Sequence, residues 1–155
     1  MSSDIKNSPI GIFDSGLGGL TAVKVLKKLM PHEDIIYFGD TARAPYGPKS
    51  KEKIIEYASQ SIKFLKSFKV KAVVAACGTV SSYIDESSEL KDLYGVINPT
   101  CEAAINSSRN MKIGVMGTSA TVKSNSYLKK IHSINPSVKV FQVACPMLVP
   151  ILVSG

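Results

Sequence analysis

Short apolar runs alternate along the chain with stretches in which apolar residues recur at helical spacing. The runs predict strands at residues 9–13, 34–38, 70–76, 95–97, 112–116 and 138–143. The helical spacing predicts helices at residues 20–30, 51–68, 77–93 and 101–108, and a last helix that follows residues 117–121 and ends near 132. Because strands and helices alternate from end to end, we predict an α/β fold with layers of helices on a mainly parallel sheet.

The composition agrees with a compact fold of this kind. Of the 155 residues, 45% are hydrophobic and 20% are charged, which is typical of a globular chain. No apolar run approaches the ~18 residues needed to cross a bilayer, and residues 1–8 lack the apolar core of a signal peptide. The sequence therefore predicts a cytoplasmic protein with no membrane partner.

The net charge of +7 comes almost entirely from lysine. Arg43 and Arg109 are the only arginines, whereas proteins that read nucleic-acid sequence rely on arginine for bidentate contacts. The lysines are spread along the chain, with one loose group at residues 49–53. We interpret them as a solvated surface and predict no nucleic-acid partner, with a polyanion site as the weaker alternative.

Four loops carry small polar residues or glycine where a predicted strand ends. These loops contain Asp14-Ser15-Gly16, Pro45-Tyr46-Gly47, Cys77-Gly78-Thr79, and Gly117-Thr118 with Thr121. Ligands of parallel α/β sheets bind at the carboxyl ends of the strands, and the N–H groups of the helices that follow suit carboxylates as well as phosphates. We expect the four loops to form one pocket, with Tyr46 in a lid over the substrate.

The cysteines are three in number and form no Cys-x-x-Cys pair, so the sequence predicts neither a disulfide framework nor a metal site. Cys77 follows a predicted buried strand and begins a predicted helix, where the helix N-terminus would lower the thiol pKa and favour a nucleophilic or basic thiolate. Asp14 would share the pocket as a group that handles protons or orients an amine. We interpret Cys101 and Cys145 as structural.

A nucleotide-binding alternative rests on the glycine-rich residues 16–19 with Asp40 further along. The dinucleotide fingerprint needs a third glycine at the position of Thr21, and Asp14 would place a carboxylate beside the pyrophosphate. The segment also lacks the Lys-Ser or Lys-Thr pair of a Walker motif. We therefore disfavour a nucleotide, and with no evident pyridoxal-phosphate lysine motif we predict no cofactor.

Five sequence segments resemble those of a known family, the glutamate racemases of the aspartate/glutamate racemase superfamily. The segments are IGIFDSGLGGLT (10–21), YFGDTARAPYG (37–47), ACGT (76–79), IGVMGT (113–118) and ATVKS (120–124). The first two are long and specific, and all five follow the family's order. The resemblance implies the layered parallel-sheet fold of that superfamily, here incomplete at the C-terminus.

The resemblance also implies a mechanism and a set of site residues. It implies a cofactor-independent isomerase that converts L-glutamate to D-glutamate for peptidoglycan synthesis, with two cysteines on opposite faces of the substrate α-carbon. Cys77 would be the first base, and Asp14 would assist it or orient the substrate ammonium group. The implied substrate-binding residues are Asp14, Ser15, Tyr46, Gly47, Gly78, Thr79, Thr118 and Thr121.

Two departures from the family limit this expectation. Gly78 stands where the family usually has asparagine, which removes a hydrogen bond to the substrate and keeps an aspartate or other amino-acid racemase as an alternative. The family's second catalytic motif, Cys-Thr-His, does not occur before Gly155. We expect a first lobe at residues 1–97 with Cys77 and the start of a second lobe at 98–155, without full turnover. A non-catalytic amino-acid-binding module and a homodimer both stay open.

Overall fold

A computed structural model describes residues 6–154, with residues 152–154 described by their backbone alone. The strands within this range are β1 (Ile10–Asp14), β2 (Ile35–Gly39), β3 (Ala72–Ala75), β4 (Tyr94–Gly95), β5 (Lys112–Gly117) and β6 (Lys139–Ala144). The helices are α1 (Leu20–Leu29), α2 (Lys51–Ser67), α3 (Gly78–Ser81), α4 (Ile97–Ser107), α5 (Ser119–Ser124), α6 (Ser126–Ile134) and α7 (Leu148–Ser154), with short 3₁₀ turns at Thr41–Arg43 and Ile84–Glu86.

The strands form two parallel sheets. The first has the order β2-β1-β3-β4, and the second pairs β5 with β6. In the first sheet Asp14 lies opposite Gly39, and Phe13 lies opposite both Phe38 and Ala75. This register brings the carboxyl ends of β1, β2 and β3 to the same edge. The predicted α/β class with a parallel sheet is confirmed.

Apart from Ile10 and Ile12, the buried apolar side chains fall into two clusters, centred on the two sheets. The first joins the inner face of α2 to the first sheet, and its members include Phe13, Tyr46, Ile54, Leu65, Val80 and Leu90. The second joins α4 and α6 to β5 and β6 through Ile97, Cys101, Ile113, Val115, Ile131 and Val138. Full burial of each large apolar side chain contributes about 1.5–3 kcal/mol, so each sheet has a core of its own.

Helix α1 matches the predicted helix closely, but its ten residues are all exposed or half-buried. Leu29 is 73% exposed, and Leu20 and Val25 are also exposed. One face of the second sheet carries further exposed apolar side chains at Met116, Phe141 and Val143. Both elements thus carry apolar side chains that no other described residue covers.

The predicted helix at 77–93 is wrong in length, because α3 ends after one turn at Ser81. The Ser82 hydroxyl donates to the Gly78 carbonyl at 2.8 Å, and the Ser81 hydroxyl donates to the Ala75 carbonyl at 2.9 Å. Serine side chains that bond to nearby carbonyl groups compete with the helical pattern. The chain then passes through a 3₁₀ turn, and Leu90 and Leu93 enter the first core without helical geometry.

Two other predictions differ from the structure in their boundaries. Helix α4 begins at Ile97 rather than 101, since Pro99 in its first turn needs no N–H partner there. The predicted helix ending near 132 is divided into α5 and α6 by Asn125, whose φ of 55° is left-handed. Asparagine is one of the few residues that adopt this conformation readily. Helix α7 was not predicted.

Among residues 6–154, no helix combines the length and the apolar character that a membrane span requires. The sequence prediction for the N-terminus concerned residues 1–8, and residues 1–5 of that segment lie outside the described residues.

Replacing Lys69 with glycine is expected to stabilise the protein by up to about 1 kcal/mol. Lys69 follows α2, is exposed and has a φ of 55°, and its N–H caps the helix by donating to the Lys66 carbonyl at 3.0 Å. Glycine adopts this capping conformation without steric cost. Urea unfolding measures the effect. Lys66→Gly is the control, since glycine within the last helical turn should cost about 1 kcal/mol. A lower midpoint for Lys69→Gly than for the parent protein would contradict the prediction.

Candidate active site

The candidate site lies where the first three strands of the first sheet end. Backbone pairing continues one residue beyond the strands, because the Asp40 N–H donates to the Asp14 carbonyl at 2.9 Å and the Ala76 N–H donates to the Phe13 carbonyl at 2.8 Å. Cys77 follows Ala76 directly. The sheet therefore brings Asp14, Asp40 and Cys77 to one edge, although their positions in the sequence are far apart.

The Asp14 carboxylate is 6% exposed and is held by the turn that follows it. Its Oδ2 accepts from the Gly16 N–H at 3.2 Å and from the Gly19 N–H at 3.1 Å. A Cβ at residue 19 would lie 2.8 Å from the Asp14 Cβ, so this close approach requires glycine. The Tyr37 hydroxyl donates to the Gly16 carbonyl at 2.7 Å and fixes the far side of the turn.

The Cys77 thiol is buried, and its Sγ lies 3.1 Å from the Ser15 Oγ. Burial and the negative charge of Asp14 raise the pKa of Cys77, while the Ser15 hydroxyl and the backbone N–H groups of Val80 and Ser15 oppose that rise. The prediction of a lowered thiol pKa was therefore wrong in sign. Helix α3 has four residues, and its N-terminus does not outweigh the desolvation of the thiolate.

A chain of threonine hydroxyls crosses from the first sheet to the second. The Thr79 Oγ1 lies 3.0 Å from the Thr118 Oγ1, which in turn lies 3.0 Å from the Thr121 Oγ1. Thr118 also caps α5, because its Oγ1 accepts from the Thr121 N–H at 3.2 Å. The structure thus brings these three predicted site residues into contact with one another, beside Cys77.

The Tyr46 side chain is not a lid. It is 1% exposed, packs against the rings of Phe13 and Tyr57, and donates its hydroxyl hydrogen bond to the Asp40 carboxylate. Burial and the neighbouring Asp40 raise the pKa of Tyr46, so the hydroxyl remains a donor at neutral pH. The Tyr46 side chain is therefore not free to bind a substrate. If the loop at residues 45–47 binds one, it does so through its backbone.

Gly47 and Gly78 differ in the space around them. A Cβ on Gly47 would lie 2.8 Å from the Thr118 side chain, so the loop packs directly on the turn between β5 and α5. The Gly47 carbonyl also accepts from the Ala120 N–H at 3.2 Å. A Cβ on Gly78 would meet nothing within 4 Å. The position next to Cys77 is therefore open, and a side chain would fit there.

The remaining cysteines lie apart from this cluster. Cys101 is fully buried in the second core, and burial raises its pKa to about 11. Cys145 is half-buried after β6, and its thiol lies 3.8 Å from the Val143 carbonyl. Within residues 6–154, no group of three or more His, Cys, Asp or Glu side chains is placed to hold a metal ion.

Sequence reasoning missed the residues that support the site. Tyr37, Asp40 and Arg43 all lie in the 37–47 segment, yet only Asp40 was considered as a site residue, in the nucleotide-binding alternative. The Asp40 carboxylate is instead bound to Tyr46 and to the Arg43 Nε at 2.7 Å. The sequence did contain a signal for these contacts, because Asp40 is followed three residues later by Arg43 and six residues later by Tyr46. A carboxylate with an arginine and a tyrosine so near in the sequence predicts a local hydrogen-bond network.

This arrangement suits a small ligand that carries both a carboxylate and an ammonium group. Asp14 supplies a negative charge for the ammonium group, and the threonine hydroxyls supply donors for a carboxylate. The Cys77 thiol, which contacts the Ser15 hydroxyl next to Asp14, is able to exchange a proton. Since its raised pKa keeps the free thiol protonated at neutral pH, proton removal by Cys77 requires a change in its surroundings on ligand binding.

Comparison of the sequence with known proteins finds glutamate racemases among those that are similar to it. It is 48% identical over 147 residues to glutamate racemase 2 of Caldanaerobacter subterraneus subsp. tengcongensis, a match that covers 95% of this chain and 56% of the relative. It is 47% identical over 152 residues to a glutamate racemase of Streptococcus pneumoniae, covering 96% of this chain and 58% of the relative. The chain thus spans just over half the length of these relatives. No family model matches it.

Solved structures agree with the sequence matches. The glutamate racemase of Francisella tularensis, solved with D-glutamate, has a TM-score of 0.87 and 42% identity over 96% of this chain and 57% of its own. A glutamate racemase isoform from Bacillus anthracis also has a TM-score of 0.87, with 40% identity over 94% of this chain and 56% of its own. In sequence and in fold, the chain is similar to these glutamate racemases, as its motifs indicated.

Replacing Asp14 with asparagine is expected to shift alkylation of Cys77 by iodoacetamide toward lower pH. The thiolate is the reacting form, and the negative charge of Asp14 is one of the causes of the raised Cys77 pKa. Ser15→Ala should move the profile the opposite way, because it removes a hydrogen bond that favours the thiolate. Peptide mass spectrometry gives the rate at each cysteine across pH, with the half-buried Cys145 as the internal control. A profile unmoved by Asp14→Asn would exclude electrostatic coupling between the two groups.

Proposed function

We propose that this chain, as a relative of the glutamate racemases, forms the Cys77 half of a cofactor-independent amino-acid racemase site that acts on glutamate. The observation that carries the proposal is the contact of 3.1 Å between the Cys77 Sγ and the Ser15 Oγ, beside the buried carboxylate of Asp14. The D-glutamate bound by the Francisella tularensis relative supports glutamate as the substrate. The physiological role would be the supply of D-glutamate for peptidoglycan.

Asp14 and Cys77 act together in the proposed mechanism. The substrate ammonium group binds at the Asp14 carboxylate and offsets the negative charge that raises the Cys77 pKa. The Cys77 thiol then gives its proton to solvent water more readily. The resulting thiolate takes the α-proton of glutamate, and the electron pair of the broken C–H bond stays on the α-carbon. Return of that proton from Cys77 to the same face regenerates the original enantiomer.

The other predicted residues bind the substrate. The hydroxyl groups of Thr79, Thr118 and Thr121 already contact one another, and a substrate carboxylate would replace part of that chain. Ser15 keeps the Cys77 sulfur in place, and the Tyr46-Gly47 backbone offers polar groups at the edge of the site. Gly78 leaves room for the substrate beside the thiol.

Racemisation needs a second acid on the opposite face, and this sequence offers no clear candidate. We propose that the 155-residue chain exchanges the α-proton without inverting the substrate. The proposed lobes, residues 1–97 and 98–155, are supported by the two cores, although Ile97 packs in the second core and Ala120 in the first. We further propose a cytoplasmic location, the absence of membrane and nucleic-acid partners, and no cofactor. A homodimer is supported by the exposed apolar residues of α1.

A second candidate, a racemase for aspartate or another amino acid, is favoured by the open space at Gly78. An asparagine at this position would supply an amide group that glycine lacks, and the missing amide would change which substrate side chain the site prefers. An amino-acid-binding module without proton exchange is the remaining alternative. Both are separated from the first candidate by the experiments below.

Replacing Cys77 with alanine is expected to abolish exchange of the glutamate α-proton in D₂O, because no other thiol contacts Ser15 among the described residues. Proton NMR of L- and D-glutamate with the purified chain measures the loss of the α-proton signal. We expect the parent chain to exchange one enantiomer, and Cys145→Ala, the matched control, to behave as the parent does. Exchange that survives in Cys77→Ala would exclude Cys77 as the base.

Two further outcomes of the same measurement are informative. Steady interconversion of L- and D-glutamate by the 155-residue chain would contradict the half-site. Binding of glutamate without any exchange in the parent chain would favour the binding module, and exchange of aspartate in preference to glutamate would favour the second candidate.

Replacing Gly78 with asparagine is expected to change the unfolding free energy by less than about 0.5 kcal/mol, because the new side chain enters open space. We expect glutamate affinity to rise several-fold through one added hydrogen bond. Urea unfolding and isothermal titration calorimetry measure the two effects. Gly47→Ala is the contrasting variant, since its Cβ would lie 2.8 Å from the Thr118 side chain. Weaker glutamate binding by Gly78→Asn would show that this space does not face the ligand.

A further inference from the structure

Asp40 is a buried charged residue that the proposed mechanism does not use. It directly follows β2, is 5% exposed, and its carboxylate accepts hydrogen bonds from the Tyr46 hydroxyl and the Arg43 Nε, the latter at 2.7 Å. Its N–H donates to the Asp14 carbonyl at 2.9 Å. A buried carboxylate needs such partners, so its place in the fold depends on both of them.

Arg43 is in turn fixed against α2. Its Nη1 donates to the Gln60 Oε1 at 2.6 Å, its Nη2 donates to the Ser61 Oγ at 3.4 Å, and its guanidinium carbon lies 4.4 Å from the centre of the Tyr57 ring. A guanidinium held on three sides has little freedom to follow a displaced partner. Asp40 is therefore tied to α2 as well as to the sheet edge.

The hydrogen bond from Tyr46 to Asp40 fixes the loop that closes the site toward the second lobe. The Tyr46 carbonyl accepts from the Lys49 N–H at 3.0 Å, and the next residue, Gly47, accepts from the Ala120 N–H at 3.2 Å. Gly47 also lies against Thr118, which belongs to the threonine chain. The path from Asp40 to the threonine hydroxyls thus runs through two residues of one loop.

We propose that Asp40 is a positioning residue of the candidate site. Its carboxylate anchors Tyr46, and the anchored loop presents the Gly47 backbone to Thr118 and Ala120 of the second lobe. Asp40 makes no contact with Cys77 and acts on the ligand only through this loop. The role in ligand binding rests on the proposed function, whereas the anchoring of the loop does not.

Amide hydrogen exchange tests the anchoring without any ligand. In Asp40→Ala, we expect exchange at the Ala120 and Lys49 N–H groups to accelerate by about tenfold or more, since both donate to the anchored loop. Exchange at the Ala76 N–H, which pairs β3 with β1, should stay unchanged. Asp34→Ala is the matched control, because Asp34 is an exposed aspartate that precedes the same strand. Uniform acceleration that includes Ala76 would indicate a purely structural role and overturn the proposal.

A double-substitution cycle tests whether Asp40 acts through Tyr46. Tyr46→Phe should accelerate exchange at the same two N–H groups, and adding Asp40→Ala to it should have less effect than Asp40→Ala alone. Asp40→Asn keeps an acceptor for the Tyr46 hydroxyl and should change exchange less than Asp40→Ala does. If Asp40→Ala does not fold, Asp40→Asn and Tyr46→Phe decide the question. Fully additive effects, or no acceleration in any of these variants, would overturn the proposal.

Glutamate titration separates this inference from the proposed function. If the parent chain binds glutamate, Asp40→Ala should weaken binding by about tenfold and leave the pH profile of Cys77 alkylation in the free protein unmoved. Unchanged affinity, or a shifted Cys77 profile, would overturn the positioning role. If the parent chain does not bind glutamate, the proposed function fails, and hydrogen exchange alone still decides whether Asp40 anchors the loop.

Discussion

The pairing of β1 between β2 and β3 is the constraint on which the candidate site depends. Parallel pairing aligns the carboxyl ends of all three strands, so that Asp14, Asp40 and Cys77 follow the sheet at one edge. A register shift of one residue would turn the side chains of a strand to its other face. Phe13 and Ala75, which lie opposite each other and both belong to the first core, oppose such a shift because it would break their packing there.

At this edge of the sheet, the protonation state of Cys77 results from opposing effects of its surroundings. Burial and the Asp14 charge favour the thiol, while Ser15 and two backbone N–H groups favour the thiolate. Burial is the largest of these effects. In the proposed mechanism, the thiol holds its proton until a cation reaches Asp14, and the α-ammonium group of an amino acid is such a cation. Under that proposal, the same pair of side chains serves both for substrate recognition and for control of the Cys77 proton.

The strands and loops that form the site could mostly be predicted from the sequence, but the electrostatics of the site could not. The strand that ends at Asp14 and the loops around Cys77 and Thr118 followed from short apolar runs and glycine-rich turns, which are local signals. The sign of the Cys77 pKa shift could not be obtained in this way, because burial is a property of the folded core. Tyr46 shows the same limit. Its proline and glycine neighbours indicated a loop, but only tertiary packing reveals that its ring enters the core.

The loop that contains Gly47 and the turn that contains Thr118 meet beside the candidate site. The hydrogen bonds on these two sides differ in how easily they can be rearranged. On one side, Gly47 belongs to a loop held by the Tyr46 hydroxyl on Asp40, and Asp40 is held by Arg43 on α2. On the other side, Thr118 caps α5 and shares its hydroxyl with Thr79 and Thr121. Hydroxyl groups rotate to new partners at little cost, whereas a buried carboxylate cannot leave its cation without a large desolvation penalty. A ligand that enters between the lobes would therefore rearrange the threonine side and leave the Asp40 side in place.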